Sequence, residues 1–145
     1  AQFNLALMYR RGEGVPQNDA EAVKWYRLAA DQGHADAQYN LALIYRLGEG
    51  VPQNDAEAVK WYRLAADQGH ADAQYNLGLM YAKGEGVPQN DTKAYALMSL
   101  AVTQVRGVAK GKLDIVKGLL PPEQLAEGQR LAAECYERGY KGCGF

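Results

Sequence analysis

Few residues of this chain could perform chemistry, and most of them recur at a fixed distance. His34 and His70 occupy equivalent positions of two nearly identical segments, and the residues next to them in the sequence are the same. A metal site needs ligands that converge on one ion, and the sequence contains no Cys-x-x-Cys or His-x-x-x-His spacing. Duplication of a segment accounts for both histidines, so we assign them a structural role.

Two glycine-rich loops superficially suggest phosphate binding. Gly12-Glu13-Gly14 and Gly48-Glu49-Gly50 lack the third glycine and the Lys-Ser/Thr pair that hold a phosphate. No Gly-x-Ser-x-Gly segment marks a nucleophile, and carboxylates such as Glu21 and Asp31 recur as solvated charges. We therefore expect no catalytic residue, no metal and no cofactor. The alternative is a secreted or periplasmic hydrolase or binder that acts on peptidoglycan fragments.

The two cysteines, Cys135 and Cys143, lie close together near the end of the chain. Their spacing would let a thiol at a helix end meet one on a returning tail, in a disulfide suited to an oxidising compartment. Two reduced thiols are the other interpretation, because spacing alone does not fix pairing. The compartment stays open, and a bridged pair would favour a periplasmic or secreted location.

Composition excludes several classes of protein. The chain has 145 residues, is 48% hydrophobic and 23% charged, and carries a net charge of -1, so it has no overall field for nucleic acid or an anionic membrane. No apolar run approaches the roughly 20 residues that span a bilayer. Because the sequence opens with Ala1 and not with Met, we expect a mature protein or a fragment whose upstream repeats or signal peptide are missing.

A 36-residue period sets the positions of all these residues. The segments 1–36 and 37–72 differ only at Phe3/Tyr39, Met8/Ile44 and Arg11/Leu47. A third copy begins at Ala73 and drifts after its Gly84–Asp91 loop. Such a period predicts small units that bury their apolar faces against neighbouring copies.

Each unit predicts two helices. In the first copy Leu5, Met8 and Tyr9 have helical spacing, and Gly12 ends that helix. Asn18 is a good N-cap for a second helix over residues 19–32, with Glu21 as the acidic half of a capping box. The apolar side of this second helix comprises Ala22, Val23, Trp25, Tyr26, Ala29 and Ala30.

The last part of the chain departs from the period. We divide the chain into repeats at 1–36, 37–72 and 73–108, the third having Leu97 in place of the tryptophan. Residues 109–145 are interpreted as a degenerate first helix, in which Ala109, Leu113 and Val116 recover the spacing, and a final helix that opens at Pro121-Pro122. That final helix would cap the stack.

The repeated pattern resembles the Sel1-like repeat, a relative of the tetratricopeptide repeat found in many bacterial proteins. The residues that carry the resemblance in the first unit are Ala1, Leu5, Ala6, Tyr9, Gly12, Gly14, Val15, Ala22, Trp25, Tyr26, Ala29, Ala30 and Gly33. It implies an all-α, right-handed α-solenoid of antiparallel helix pairs that serves as an adaptor for other proteins. One disulfide-rich secreted branch deals with peptidoglycan fragments, but its cysteine pair within each repeat is absent here.

A partner protein or peptide is expected on the concave surface that the first helices line in such stacks. By helical spacing and by similarity to the tetratricopeptide pattern, the contacting residues would be Phe3, Leu7, Arg10, Arg11, Tyr39, Leu43, Arg46, Tyr75, Leu79 and Lys83. The rings and leucines could instead simply pack between neighbouring helices. A further alternative is a structural module that forms homo-oligomers through its uncapped first helix.

Overall fold

Eight helices make up the part of the chain that the structure describes. The structure, a computed structural model, describes residues 1–104 and 110–145. The helices are α1 Gln2–Arg11, α2 Asp19–Asp31, α3 Ala35–Leu47, α4 Asp55–Ala66, α5 Ala71–Lys83, α6 Asp91–Gln104, α7 Lys110–Leu119 and α8 Pro122–Glu137. From α1 to α6 each helix packs on its neighbours along the chain, most closely within each pair, which confirms the predicted all-α solenoid of helix pairs.

Asparagine caps begin the second helix of each pair, as the sequence predicted. The Asn18 Oδ1 accepts the backbone N–H of Glu21 at 3.1 Å, and Asn54 repeats this contact with Glu57. In a full capping box the N–H of Asn18 would donate to the side chain of Glu21. Here it donates instead to the carbonyl of Tyr9, near the end of α1. That bond ties each second helix to the first.

Histidine caps, which the sequence pattern did not predict, begin the first helices of the second and third pairs. The Nδ1 of His34 accepts the Ala37 N–H at 3.3 Å, and the Nδ1 of His70 accepts the Ala73 N–H at 3.2 Å. Helices α3 and α5 therefore start at Ala35 and Ala71, two residues before the predicted position. The structural role that we assigned to the histidines is this cap.

The core consists of alanines between large side chains. Ala58, Ala65, Leu41 and Tyr62 have no exposed surface, so backbones approach closely where the alanines lie. Trp61 is buried, while its copy Trp25 is only partly covered. The sequence placed all of these side chains in the stack.

Buried glutamines join successive pairs at one end of the helices. Gln38 is 4% exposed, and its Nε2 donates to the Ala30 carbonyl while its Oε1 accepts from Gln68. Gln74 and Gln104 repeat the second contact at 2.8 Å. Because these buried amides are hydrogen-bonded, they fix the register of one pair on the next.

The last two helices pack differently from the repeats. Helix α7 packs on α6, and its Val116 lines an apolar cleft with Leu79 of α5. Ala109, which we assigned to the same degenerate helix, lies outside the described residues. Helix α8 packs along α6, and a Cβ on Gly128 would lie 2.8 Å from the Tyr95 ring. The predicted cap is therefore α8, although its Tyr136 is 58% exposed.

Two features are absent from the described residues, a membrane-spanning helix and a cluster of metal ligands. None of the eight helices is long and apolar enough to cross a membrane. No three His, Cys, Asp or Glu side chains within residues 1–104 and 110–145 are grouped so that they could hold a metal ion.

Candidate interaction surface

The first helices present a row of side chains that we call the first-helix surface. Its members are Phe3, Leu7 and Arg10 of α1, Tyr39, Leu43 and Arg46 of α3, and Tyr75, Leu79 and Lys83 of α5. All except Lys83 are half-buried, and Lys83 is exposed. Arg11 is exposed at the end of α1. The predicted contact residues therefore keep accessible surface, and five of them also pack against the core, namely Phe3, Leu7, Tyr39, Tyr75 and Leu79.

Histidine rings support two of the aromatic side chains on this surface. Phe3 stacks on His34 with ring centroids 4.8 Å apart, and Tyr39 stacks on His70 at the same distance. Because each histidine also caps the following helix, the position of the ring is set by the backbone of the next repeat. Phe3 and Tyr39 therefore pack on a neighbouring repeat and also keep exposed surface, and their contact with a partner stays a prediction.

Carboxylates of the following repeat hold the arginines. The Arg10 guanidinium lies 3.2 Å from the Glu49 carboxylate and also donates to Asn40 at 3.2 Å. The Arg46 guanidinium lies 3.8 Å from Glu85. The arginines keep about a quarter of their side-chain surface exposed, at 25% and 24%. In the sequence the Gly-Glu-Gly loops indicate only helix ends, and no local pattern predicts that their glutamates bind the arginines of the preceding repeat.

Buried tyrosines lie beneath the arginines. Tyr26 and Tyr62 are fully buried, and burial raises the pKa of both hydroxyls. The positive charges of Arg10 and Arg46 oppose that effect only in part. Within the described residues neither hydroxyl has a hydrogen-bond partner, so these phenols act as neutral packing groups at ordinary pH.

Near its end the first-helix surface meets α7. Leu79, Ala82 and Lys83 share an apolar cleft of about 260 Å³ with Ile115 and Leu119, which are 65% and 66% exposed. Helix α7 therefore extends the apolar part of the surface past the third regular repeat.

A second group of functional interest lies on the second-helix side of the stack. Cys135 forms a disulfide with Cys143, their Cα atoms 5.1 Å apart. The chain then returns to α4, where the Phe145 carbonyl accepts from Arg63 Nε at 2.7 Å and from the Tyr81 hydroxyl. A segment distant in sequence therefore covers the arginine of the second pair, Arg63 of α4, whereas its copy Arg27 of α2 is exposed.

Two solved structures are similar to this chain over most of its length. A Sel1 repeat protein from Oxalobacter formigenes is 30% identical with a TM-score of 0.79, over 97% of this chain and 65% of that one. A protective antigen of uropathogenic Escherichia coli strains that displays an SLR fold is 28% identical with a TM-score of 0.80, over 96% of this chain and 38% of that one. The chain thus spans less than two thirds of either protein, and no curated protein matches it.

The model of the Sel1 repeat matches the chain four times. The matches cover residues 1–34, 35–70, 71–104 and 126–144, so the fourth takes in most of α8 and the segment that follows it. The first three begin at or next to the first helix of each pair. Together they cover well over half of the chain, which therefore belongs to the Sel1 repeat family.

Proposed function

We propose that this chain is a non-enzymatic scaffold that binds an extended peptide or a partner helix along the first-helix surface. Sel1 repeats are generally modules for interaction between proteins, and their fold is typically non-catalytic. The proposal adds to that general role a binding surface and its contact residues.

The observation that carries the proposal is the fixed spacing of aromatic, leucine and arginine side chains on a rigid support. Phe3 and Tyr39 are stacked on capping histidines, and Arg10 and Arg46 are paired with glutamates of the next repeat. Ordered side chains lose little conformational entropy on binding, and aromatic and arginine residues dominate interface energetics. A partner would meet one such group of side chains in each repeat.

Replacement of the arginines tests this proposal. In Arg10→Ala with Arg46→Ala, we expect affinity for partners captured by the wild-type chain to fall by about tenfold or more, as for interface arginines elsewhere. Binding would be measured by pull-down, followed by titration of the captured partner.

Lys24→Ala with Lys60→Ala is the matched control, since it removes the same charge from exposed positions on the second helices. Melting by circular dichroism checks that both double variants fold. If the arginine variant keeps the partner as firmly as the lysine variant, the first-helix surface is not the binding site.

A further inference from the structure

The segment after α8, residues 139–145, occupies a defined site on the second-helix side. We call this segment the tail and its contacts the tail site. The Phe145 carbonyl oxygen accepts from the guanidinium of Arg63 and from the hydroxyl of Tyr81, and Phe145 itself is 6% exposed. Two donors therefore converge on one main-chain acceptor.

A glycine gives the tail its second point of contact. Gly69 ends the turn after α4, and a Cβ placed on it would lie 2.9 Å from the Tyr140 ring. Asp67 and Lys93 line a cavity of about 380 Å³ beside Phe145. The tail site thus consists of a glycine platform for an aromatic ring, an Arg-Tyr donor pair and two flanking charges.

One repeat earlier the same positions recur without a tail. We call this the upstream site: Gly33, Arg27, Tyr45 and Asp31 are identical to their copies, and Glu57 stands where Lys93 would be. Arg27 donates to the Tyr45 hydroxyl as Arg63 donates to that of Tyr81. The arginine and the tyrosine of the donor pair are therefore hydrogen-bonded to each other at both sites.

The described chain leaves the upstream site open. No atom of the described residues lies within 4 Å of a Cβ placed on Gly33, whereas Tyr140 fills that space at Gly69. Arg27 is exposed, whereas Arg63 is half-buried. Among the described residues Arg27 has hydrogen bonds to Tyr45 alone, so its remaining N–H groups and the hydroxyl hydrogen of Tyr45 are free to donate.

We infer that the upstream site binds an extended peptide that resembles the tail. One main-chain carbonyl of the peptide accepts from Arg27 and Tyr45, and an aromatic side chain rests on Gly33. The occupant is argued from the molecule itself, because the tail fills the same residues one repeat later. Asp31 and Glu57 stand at the positions of Asp67 and Lys93, which line the cavity beside Phe145. The upstream site thus has two acidic residues where the tail site has one of each charge, which favours a basic residue between the aromatic groups, as Lys141 lies between Tyr140 and Phe145.

This site is separate from the first-helix surface. Arg27 lies on a second helix, and its partner Tyr45 lies next to Arg46 but contacts α2. Binding here neither requires nor excludes a partner on the first helices, so the two proposals fail independently.

A synthetic peptide tests the inference. The probe is residues 139–145 with serine in place of the cysteine, acetylated, amidated and carrying a fluorophore, titrated into the full oxidised chain and followed by fluorescence polarisation. We expect saturable binding of one peptide per chain. Arg27→Ala should weaken it about tenfold, because a hydrogen bond to a charged group is lost, and Tyr45→Phe, which keeps the ring, should weaken it severalfold.

Lys24→Ala is the matched control on the same helix and should leave binding unchanged, and circular dichroism checks the fold of each variant. Absence of saturable binding up to about 1 mM, the weakest affinity of interest, would overturn the inference. Undiminished binding by Arg27→Ala would overturn it as well. The same holds for a loss of binding in Arg63→Ala alone, which would show that the peptide exchanges with the tail, and for a loss only in the double variant Arg10→Ala with Arg46→Ala.

Discussion

At the scale of single residues, identical side chains have different surroundings in successive repeats. Arg63 holds a main-chain carbonyl of the tail, whereas Arg27 is exposed. Arg10 and Arg46 are each joined to a glutamate one repeat on. The residue type therefore sets which bonds a side chain can make, and its place in the stack decides which of them form.

Alkaline pH should unfold the chain through its buried tyrosines. Burial raises the pKa of Tyr26, Tyr39 and Tyr62 above the ordinary value of 10.0. Their folded pKa is above the unfolded one, so the stability that they contribute is complete below about pH 10 and is lost as pH rises further. Urea unfolding at about pH 8 and about pH 11 should show a lower midpoint at the higher pH, in parallel with tyrosinate absorbance.

The matched variant for this titration is Tyr62→Phe, which keeps the ring but cannot ionise. Its loss of stability between the two pH values should be smaller than that of the wild type. An alkaline loss of equal size in both proteins would show that other groups cause it.

At the scale of elements, backbone caps define where each helix starts and ends. Asparagine begins α2 and α4, histidine begins α3 and α5, and glycines with positive φ end α1, α3 and α5. The asparagine and glycine signals were readable in the sequence. The histidine caps were not, because imidazole is seldom an N-cap and the ring acts here through its unprotonated Nδ1.

Removal of one asparagine cap should weaken the stack measurably. Asn54→Ala leaves the N–H of Glu57 without its acceptor, and such changes cost about 1 kcal/mol. Thermal unfolding followed by circular dichroism should show a lower midpoint for this variant. Gln53→Ala changes the exposed neighbour and should leave the midpoint in place; equal midpoints for the two variants would contradict the cap.

At the scale of the whole molecule, most contacts join helices that are neighbours along the chain. The tail is different, since Phe145 bonds to Arg63, 82 residues earlier. The solenoid is otherwise quasi-one-dimensional, so its stability is approximately a sum of local terms. The tail adds one long-range connection that ties α8 to α4.

Loss of the disulfide should therefore affect only one end of the stack. Closure of so short a loop stabilises a folded state by about 2–3 kcal/mol in the chain-entropy description. In Cys143→Ser we expect faster amide hydrogen exchange in α8 and α6, and unchanged exchange in α1 and α2. Exchange that increases uniformly over all helices would show that the chain opens as a single unit and that the tail has no local effect.

The sequence by itself determined the repeat, the two helices of each unit, the alanine and tyrosine core and the fold class. These features follow from local periodicity, glycine stops and caps, which act over a few residues and recur in each copy. Only the tertiary structure decided which arginine meets Glu49, where α7 and α8 lie, and that the tail covers Arg63 and leaves Arg27 open. Those outcomes depend on contacts between residues far apart in the chain, and identical copies of a repeat carry identical local signals, so no local pattern could tell them apart.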